Sequence, residues 1–319
     1  MKTRLTELLA IDVPVMLAGM GGVSYSALVS AVSRAGGFGC LGASTMTSDE
    51  LVAQIAEVRA ATDRPFGVDL LTAFPESLER NVELLIEGGA TVFVAGLGVP
   101  RPVIDTCHRQ GVLVMSLCGK VEHARRALDS GCDAVIAQGT EAGGHTGSVA
   151  TMPLVPLVVD AVGDSIPVVA AGGIFDGRGL AAALALGADG VWIGTRFIAT
   201  PEARAVRGFK EHIVGGAEDA TTISRAYTGK TMRVLRNERT DRYEADPALL
   251  RPFPDQLLVS LSDGSFHLGG DDATPGVDER IEAYPAGQSV GGITELVGAG
   301  ELVARINAQA ESILRGLAR

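Results

Sequence analysis

Eight short runs, apolar on both parities, recur along the first 200 residues at intervals of roughly 25. They are residues 13–18 (VPVMLA), 38–42 (FGCLG), 66–71 (FGVDLL), 91–95 (TVFVA), 112–116 (VLVMS), 133–137 (DAVIA), 167–171 (PVVAA) and 190–194 (GVWIG). A strand with one wet face alternates apolar and polar residues, so runs without alternation read as parallel strands covered on both faces. Amphipathic stretches of helix length separate them. In 48–61 and 76–87 the apolar positions Leu51, Ile55 and Val58, then Leu78, Val82, Leu85 and Ile86, keep helical spacing. Ser48 and Pro75 supply start signals, and Gly88 and Gly89 a stop. Eight strands, each followed by a helix, predict an α/β fold of the (β/α)8 TIM-barrel type. A doubly wound open sheet is the competitor that periodicity does not separate, although barrel closure accounts for an even eight.

After residue 200 the rhythm breaks. Residues 215–290 hold most of the remaining prolines, scattered aromatics and charges, and a Gly/Asp stretch, GGDDATPGVDE. The expected division is a barrel from 1–214 and 291–319, with a small substrate-side subdomain or lid at 215–290. Closing helices are expected at Gly292–Leu296 and Glu301–Leu317. A chain of 319 residues, 46% hydrophobic, can bury such a core without staples. Its net charge of −11 argues against a nucleic-acid partner, whose phosphates demand a basic face. Cys40, Cys107, Cys118 and Cys132 form no C-x-x-C pair and have no His at zinc spacing, so no metal site is expected and the thiols read as buried and reduced. No apolar run reaches the ~18 residues of a membrane span, and the opening MKTRLTELLAIDVPVM lacks the features of a signal peptide. A reducing cytoplasm is the expected location.

Glycine is the compositional excess: 41 of 319 residues, about 13% against a usual ~7%. Gly36–Gly37, Gly88–Gly89, Gly131 and Gly187 fall where helices end before strands, a purely structural use. The others cluster just past strand ends, where a parallel barrel collects its chemistry. After the seventh run stand Gly172 and Gly173, and after the eighth Gly194, Thr195 and Arg196. That pair of loops is the usual phosphate wall of a barrel, with Arg196 expected to add a charge. After the sixth run comes QGTEAGGHTG, residues 138–147, in which His145 stands among glycines and suits acid, base or hydrogen-bond duty. After the first run, Gly19, Met20, Gly21 and Gly22 would let backbone and a thioether approach a flat ligand; otherwise this is a hydrophobic plug with Ser24 capping the next helix.

These segments together resemble the nitronate monooxygenase family, formerly the 2-nitropropane dioxygenases. The resemblance is carried by VPVMLAGMGGVSYSALVSAVSRAGGFGCLGAS, PFGVDLL, QGTEAGGHTG, VVAAGGIFDGRGLAAALALGADGVWIGTRFIAT and AGQSVGGITELVGAGELV. It spans about residues 5 to 310 and implies an FMN-binding barrel with an added small domain. It places Gly19, Met20 and Gly21 against the flavin ring, Gly143 and Gly144 nearby, and Gly172, Gly173, Gly194 and Thr195 around the FMN phosphate. His145 is similar to the family's catalytic histidine, and Gln138 is placed to bond the ring. Two positions depart from the pattern. Asp69 stands where many relatives carry an amide near the flavin. The fifth run continues Ser116-Leu117-Cys118-Gly119-Lys120, so Lys120 lies farther along than the lysine some relatives place beside the flavin.

The implied activity is oxidation of alkyl nitronates or nitroalkanes by O2 to a carbonyl compound and nitrite. NAD(P)H-dependent reduction of enoyl thioesters or quinones on the same scaffold is the alternative, and a non-catalytic FMN-binding protein ranks last. No G-x-G-x-x-G follows a candidate strand, so no separate dinucleotide domain is visible.

Overall fold

In the computed structural model, which describes residues 1–72, 75–96 and 98–317, all eight apolar runs are strands. In chain order the strands are β1 (Val15–Leu17), β2 (Gly39–Gly42), β3 (Phe66–Leu70), β4 (Val92–Ala95), β5 (Leu113–Cys118), β6 (Ala134–Gln138), the two-residue β7 (Gly144–His145), β8 (Val168–Ala171) and β9 (Gly190–Ile193). All but β7 pair in parallel in the order β1-β9-β8-β6-β5-β4-β3-β2. A bridge between Met16 and Phe38 completes the ring, with Leu17 N–H donating to Phe38 O (2.8 Å) and Phe38 N–H to Val15 O (2.9 Å). Backbone hydrogen bonding between the first two strands is what separates a barrel from the open-sheet alternative.

The double apolarity of the strands has the expected cause. Met16, Val92, Val94, Met115, Ile136, Val169 and Trp192 form one core inside the barrel. Their neighbours Leu17, Val68, Phe93, Val114, Val135, Ala170 and Ile193 pack outward under the helices. Helix α1 (Arg4–Leu9) contributes Leu5 and Leu9 to the inner core. A Cβ at Gly190, the first residue of β9, would lie 2.4 Å from Leu5. Helix α1 therefore closes the N-terminal end of the barrel.

The outer helices are α2 (Ser26–Arg34), α3 (Ser48–Ala61), α4 (Pro75–Glu87), α5 (Arg101–Arg109), α6 (Val121–Ser130), α7 (Thr151–Val162) and α8 (Gly177–Ala185). Gly36, Gly89, Gly131 and Gly187 all have left-handed φ, between +78° and +96°, where a preceding helix stops. The start of α3 lies one residue from the expected signal: Thr47, not Ser48, caps it, accepting from Glu50 N–H at 3.2 Å.

Short α9 (Thr195–Ile198) and then α10 (Arg207–Val214) follow β9. The antiparallel β10 (Thr221–Ser224) and β11 (Met232–Leu235) come next, then α11 (Glu238–Ala245) and α12 (Asp255–Ser262). Tyr227, Ala226, Met232, Val234 and Ala283 form a small core separate from the barrel's. The closing helix differs from expectation. Residues 292–296 are not α-helical, and α13 runs Ala299–Leu317. Its Ala299 N–H is fixed by the Glu202 carboxylate at 3.1 Å, an N-terminal partner from 97 residues away that no local signal encodes. All four cysteines are buried and free. Among the described residues no helix is long and apolar enough to cross a membrane.

Candidate active site

The C-terminal ends of the barrel strands open into a cavity of about 1390 Å³, beyond the ~300–1,000 Å³ of an ordinary single-ligand pocket. Every predicted glycine loop reaches it. In the loop after β1, Ser24 is fully buried and does not cap α2. Its hydroxyl donates to Ala18 O (2.8 Å) and accepts from Met20 N–H (3.1 Å), clamping the turn that presents Met20. Gly19 packs on Asp69, where a Cβ would come within 2.2 Å of the Asp69 Cβ. Gly21 packs on Ser44 Oγ in the same way, at 2.7 Å. The Met20 sulfur lies 3.3 Å from where a Cβ at Gly194 would stand, so the first and last barrel loops meet there.

Gly172 and Gly173 adopt φ of +105° and +72° and share the cavity wall with Gly194 and Thr195. Arg196 does not join them. Its guanidinium is 5% exposed, donates to Ala199 O at 3.2 Å, and borders a separate 450 Å³ cavity between α8 and α13. Thr195 begins α9 on the cavity side, and one step along a helix turns the next side chain by about 100°. The expectation that Arg196 charges the phosphate wall is therefore corrected. Thr195 Oγ1 is itself engaged, accepting from Gly287 N–H at 2.8 Å.

Residues 286–288 strap these loops together. Gln288 N–H donates to Glu141 O (2.9 Å), and a Cβ on Gly143 would come within 2.7 Å of Ala286. Gly143 is thus demanded by packing against the strap. At Gly144, with φ +74°, nothing lies within 4 Å of the missing Cβ, so its backbone stands open.

His145 sits on β7, whose partner is β11: Met232 faces His145 and Arg233 faces Gly144. Buried Arg233 reinforces the pairing through Nε–H to Thr140 O at 2.9 Å. Gln138 is spent partly on this loop, its Nε2 donating to His145 O at 2.9 Å. His145 Nε2 lies 3.0 Å from Thr228 Oγ1. Thr228 Oγ1 accepts from Lys230 N–H and stands within donating distance of both Lys230 O (3.2 Å) and His145 Nε2. With its proton on Lys230 O, Nε2–H is the donor to Thr228 and Nδ1 holds the lone pair; with its proton on His145, the two nitrogens exchange roles. Partial desolvation, with a smaller push from Lys230, lowers the His145 pKa below its ordinary value, although the residue keeps an exposed face. A lowered pKa favours the ring that is free to take up a proton.

Asp69 lines the cavity at the end of β3, and burial alone pushes its carboxyl up to about 8. Buried Cys40 on β2 is raised too, by burial and then by Asp69. The linkage follows in sign. Between about pH 4 and pH 8 the unfolded chain releases the Asp69 proton while the folded one keeps it, so flavin-free protein loses stability as pH rises through that window. Asp69→Asn is expected to flatten this slope by on the order of a few kcal/mol. Denaturant midpoints of the flavin-free forms at pH 5 and pH 8 test it, and parallel slopes would refute it.

Ser116 is buried on the wall and Lys120 stands exposed at the rim. Five Lys or Arg side chains border the cavity against two carboxylates, Asp69 and Glu282, on a chain of net charge −11. Arg126 is paired with Glu122 and Arg204 with Asp271. Lys120, Arg225 and Lys230 have no carboxylate partner among the described residues. Sequence reading missed Thr228, Arg233, the 286–288 strap and Glu282. Only the strap had a signal, the AGQSVGG segment.

Compared with known proteins, residues 2–309 match the family model described as nitronate monooxygenase. The chain is 45% identical, over 77% of its length and 69% of the relative's, to the (3aS,4S,5R,7aS)-5-hydroxy-7a-methyl-1-oxo-octahydro-1H-indene-4-carboxyl-CoA dehydrogenase of Mycobacterium tuberculosis. It is 35% identical, over 75% of its length and 79% of the relative's, to a probable nitronate monooxygenase of Staphylococcus saprophyticus. Of the solved structures, FabK from Thermotoga maritima superposes with a TM-score of 0.89 at 34% identity, covering 100% of this chain and 99% of the other. The nitroalkane oxidase of Streptomyces ansochromogenes gives 0.84 at 31%, covering 99% and 100%.

Proposed function

The chain belongs to the nitronate monooxygenase family and is a flavin-dependent oxidoreductase, and from that premise we propose that it uses FMN to oxidise or reduce a coenzyme A thioester. The observation that carries the substrate class is the cavity itself, too large for a flavin alone and rimmed by unpaired cations. A nucleotide thioester brings several phosphates, which an acidic surface repels and this rim attracts. The 45% identity to a carboxyl-CoA dehydrogenase supports the same reading.

The residues present fit a flavin. Gly144 leaves backbone open to a flat ring, and the left-handed Gly172 and Gly173 form a cradle that side chains would fill. On this reading Gly19, Met20, Gly21 and Gly144 border the ring, with Gln138 and Asp69 at its edge. Gly172, Gly173, Gly194 and Thr195 take the phosphate, and a single-phosphate wall favours FMN. Bound there, the flavin supplies the two-electron redox chemistry. The chain's own residues handle the proton. Thr228 orients the ring through Nε2, and with Nε2 as donor to that hydroxyl, Nδ1 takes a proton from the carbon beside the thioester carbonyl. Lys120, Arg225 and Lys230 hold the phosphates, and residues 215–290 serve as the substrate-side subdomain.

Anaerobic mixing of the yellow protein with an acyl-CoA, a nitronate, NADH or NADPH tests this reading. Bleaching by acyl-CoA, or by NAD(P)H with recovery on enoyl-CoA, supports it. Bleaching by the nitronate alone overturns it and returns the chain to O2-dependent nitronate oxidation, which the family description favours. Thr228→Val is expected to lower kcat by about tenfold or more with flavin content unchanged, because the imidazole loses the hydroxyl that orients it. An unaltered kcat would refute Thr228's role.

A further inference from the structure

The cavity wall also carries the imidazole of His267, which none of this uses. His267 Nδ1 lies 2.6 Å from Glu282 Oε2, and its backbone N–H donates to Glu282 Oε1 at 3.0 Å. Glu282 is 4% exposed, and among the described residues His267 is the sole partner of its carboxylate. A carboxylate only accepts, so Nδ1 carries a proton and Nε2 is the nitrogen left to meet a ligand. No described residue bonds Nε2. On that side the neighbour is Gly276, where an added Cβ would stand 3.8 Å from Nε2, an ordinary packing distance. The side chain keeps 22% exposure, and the residue lines the cavity.

The backbone around His267 is bent to place it. Leu268 has φ +53° and Gly269 φ +89°, two successive left-handed residues of which the first is a leucine. Such a conformation costs on the order of 1–3 kcal/mol and persists only where the surroundings impose it. The turn sets Leu268 O and Gly269 against Gly22, where a Cβ would come within 2.2 Å and 2.6 Å. It thereby fixes His267 beside the loop after β1. Satisfying Glu282 would not by itself require that strained turn. The cavity is thus lined by three imidazoles, those of His123, His145 and His267, and of the last the Nε2 is bonded by no described residue.

We propose that His267, oriented by Glu282, is a substrate-recognition residue that hydrogen-bonds through Nε2 with a hydroxyl on the acyl chain, so that the preferred thioester is a hydroxyacyl one. The proposal rests on the thioester reading above. A polar nitrogen left unpaired by a substrate without the hydroxyl loses affinity, which is how such a site discriminates.

The test titrates flavin-loaded protein with butyryl-CoA, its 3- and 4-hydroxy derivatives, pentanoyl-CoA and its 5-hydroxy derivative, following the flavin absorbance. At least one hydroxy derivative is expected to bind about tenfold or more tightly than its parent. That preference should fall to near unity in His267→Leu, with the parent's affinity kept. Leucine alone strands a buried carboxylate, so the paired variant His267→Leu/Glu282→Gln carries the same measurement if the single one fails to fold. Parents that bind without any hydroxyl preference, or a preference that survives both variants, overturn the assignment to His267. If no acyl-CoA perturbs the flavin, the thioester reading falls and the proposal with it.

Discussion

Replacing His145 by alanine is expected to cut turnover by about 10²- to 10⁴-fold while the protein stays folded and yellow. The loss follows from removing the imidazole that lines the cavity. Its Nε2 is held by Thr228 Oγ1 and its pKa is lowered, which favours a ring that takes up a proton. Retention of flavin follows from the backbone. The His145 carbonyl that receives Gln138 Nε2, and the register with Met232, survive truncation of the side chain. Stopped-flow reduction, with flavin released by denaturation and quantified, checks both halves. A variant with full flavin and full turnover would remove His145 from the chemistry.

Gly172→Val is expected to lower flavin affinity by at least tenfold, with the larger loss in flavin content and the smaller in folding. A Cβ there would lie 2.7 Å from Thr151 Oγ1 and 3.1 Å from Gly139 O, and the backbone sits at φ +105°. Thr151 cannot yield easily, since its hydroxyl is held by Glu141 and its N–H donates to the same carboxylate. The loop itself must move, and with it the cradle beside Gly173. Gly111→Ala is the control. Gly111 has a similar left-handed φ of +72° with open space around it, and it does not line the large cavity. It should cost about 1 kcal/mol of stability and no flavin. Equal flavin loss in the two variants would mean that general destabilisation, not the cradle, was being read.

Much of this architecture was legible because its signals are local. Strands buried on both faces are apolar at every position, and a helix that must stop before a strand needs a left-handed residue; Gly131 and Gly187 mark such points without any tertiary knowledge. The positions of Met20, Gly172 and Gly194 at strand mouths were equally readable, since chain order in a parallel barrel dictates which loops share an end. Arg196 was misread for the opposite reason. Its neighbour Thr195 faces the cavity, and only the phase of a four-residue helix decides that the next side chain faces away.

What the sequence determined alone is eight strands covered on both faces, their glycine-lined mouth, and a histidine in the loop after the sixth strand. The tertiary structure decided that the strands close into a ring, through the Met16–Phe38 bridge, and what holds that histidine. A strand from 232–235 captures Gly144–His145, Thr228 meets its Nε2, and a carboxylate 15 residues from His267 orients another imidazole on the same cavity wall. Strand and helix periodicities are encoded within a few residues of where they act. The partners of a side-chain nitrogen lie 83 residues away for His145, and no local pattern carries a hydrogen bond over that distance.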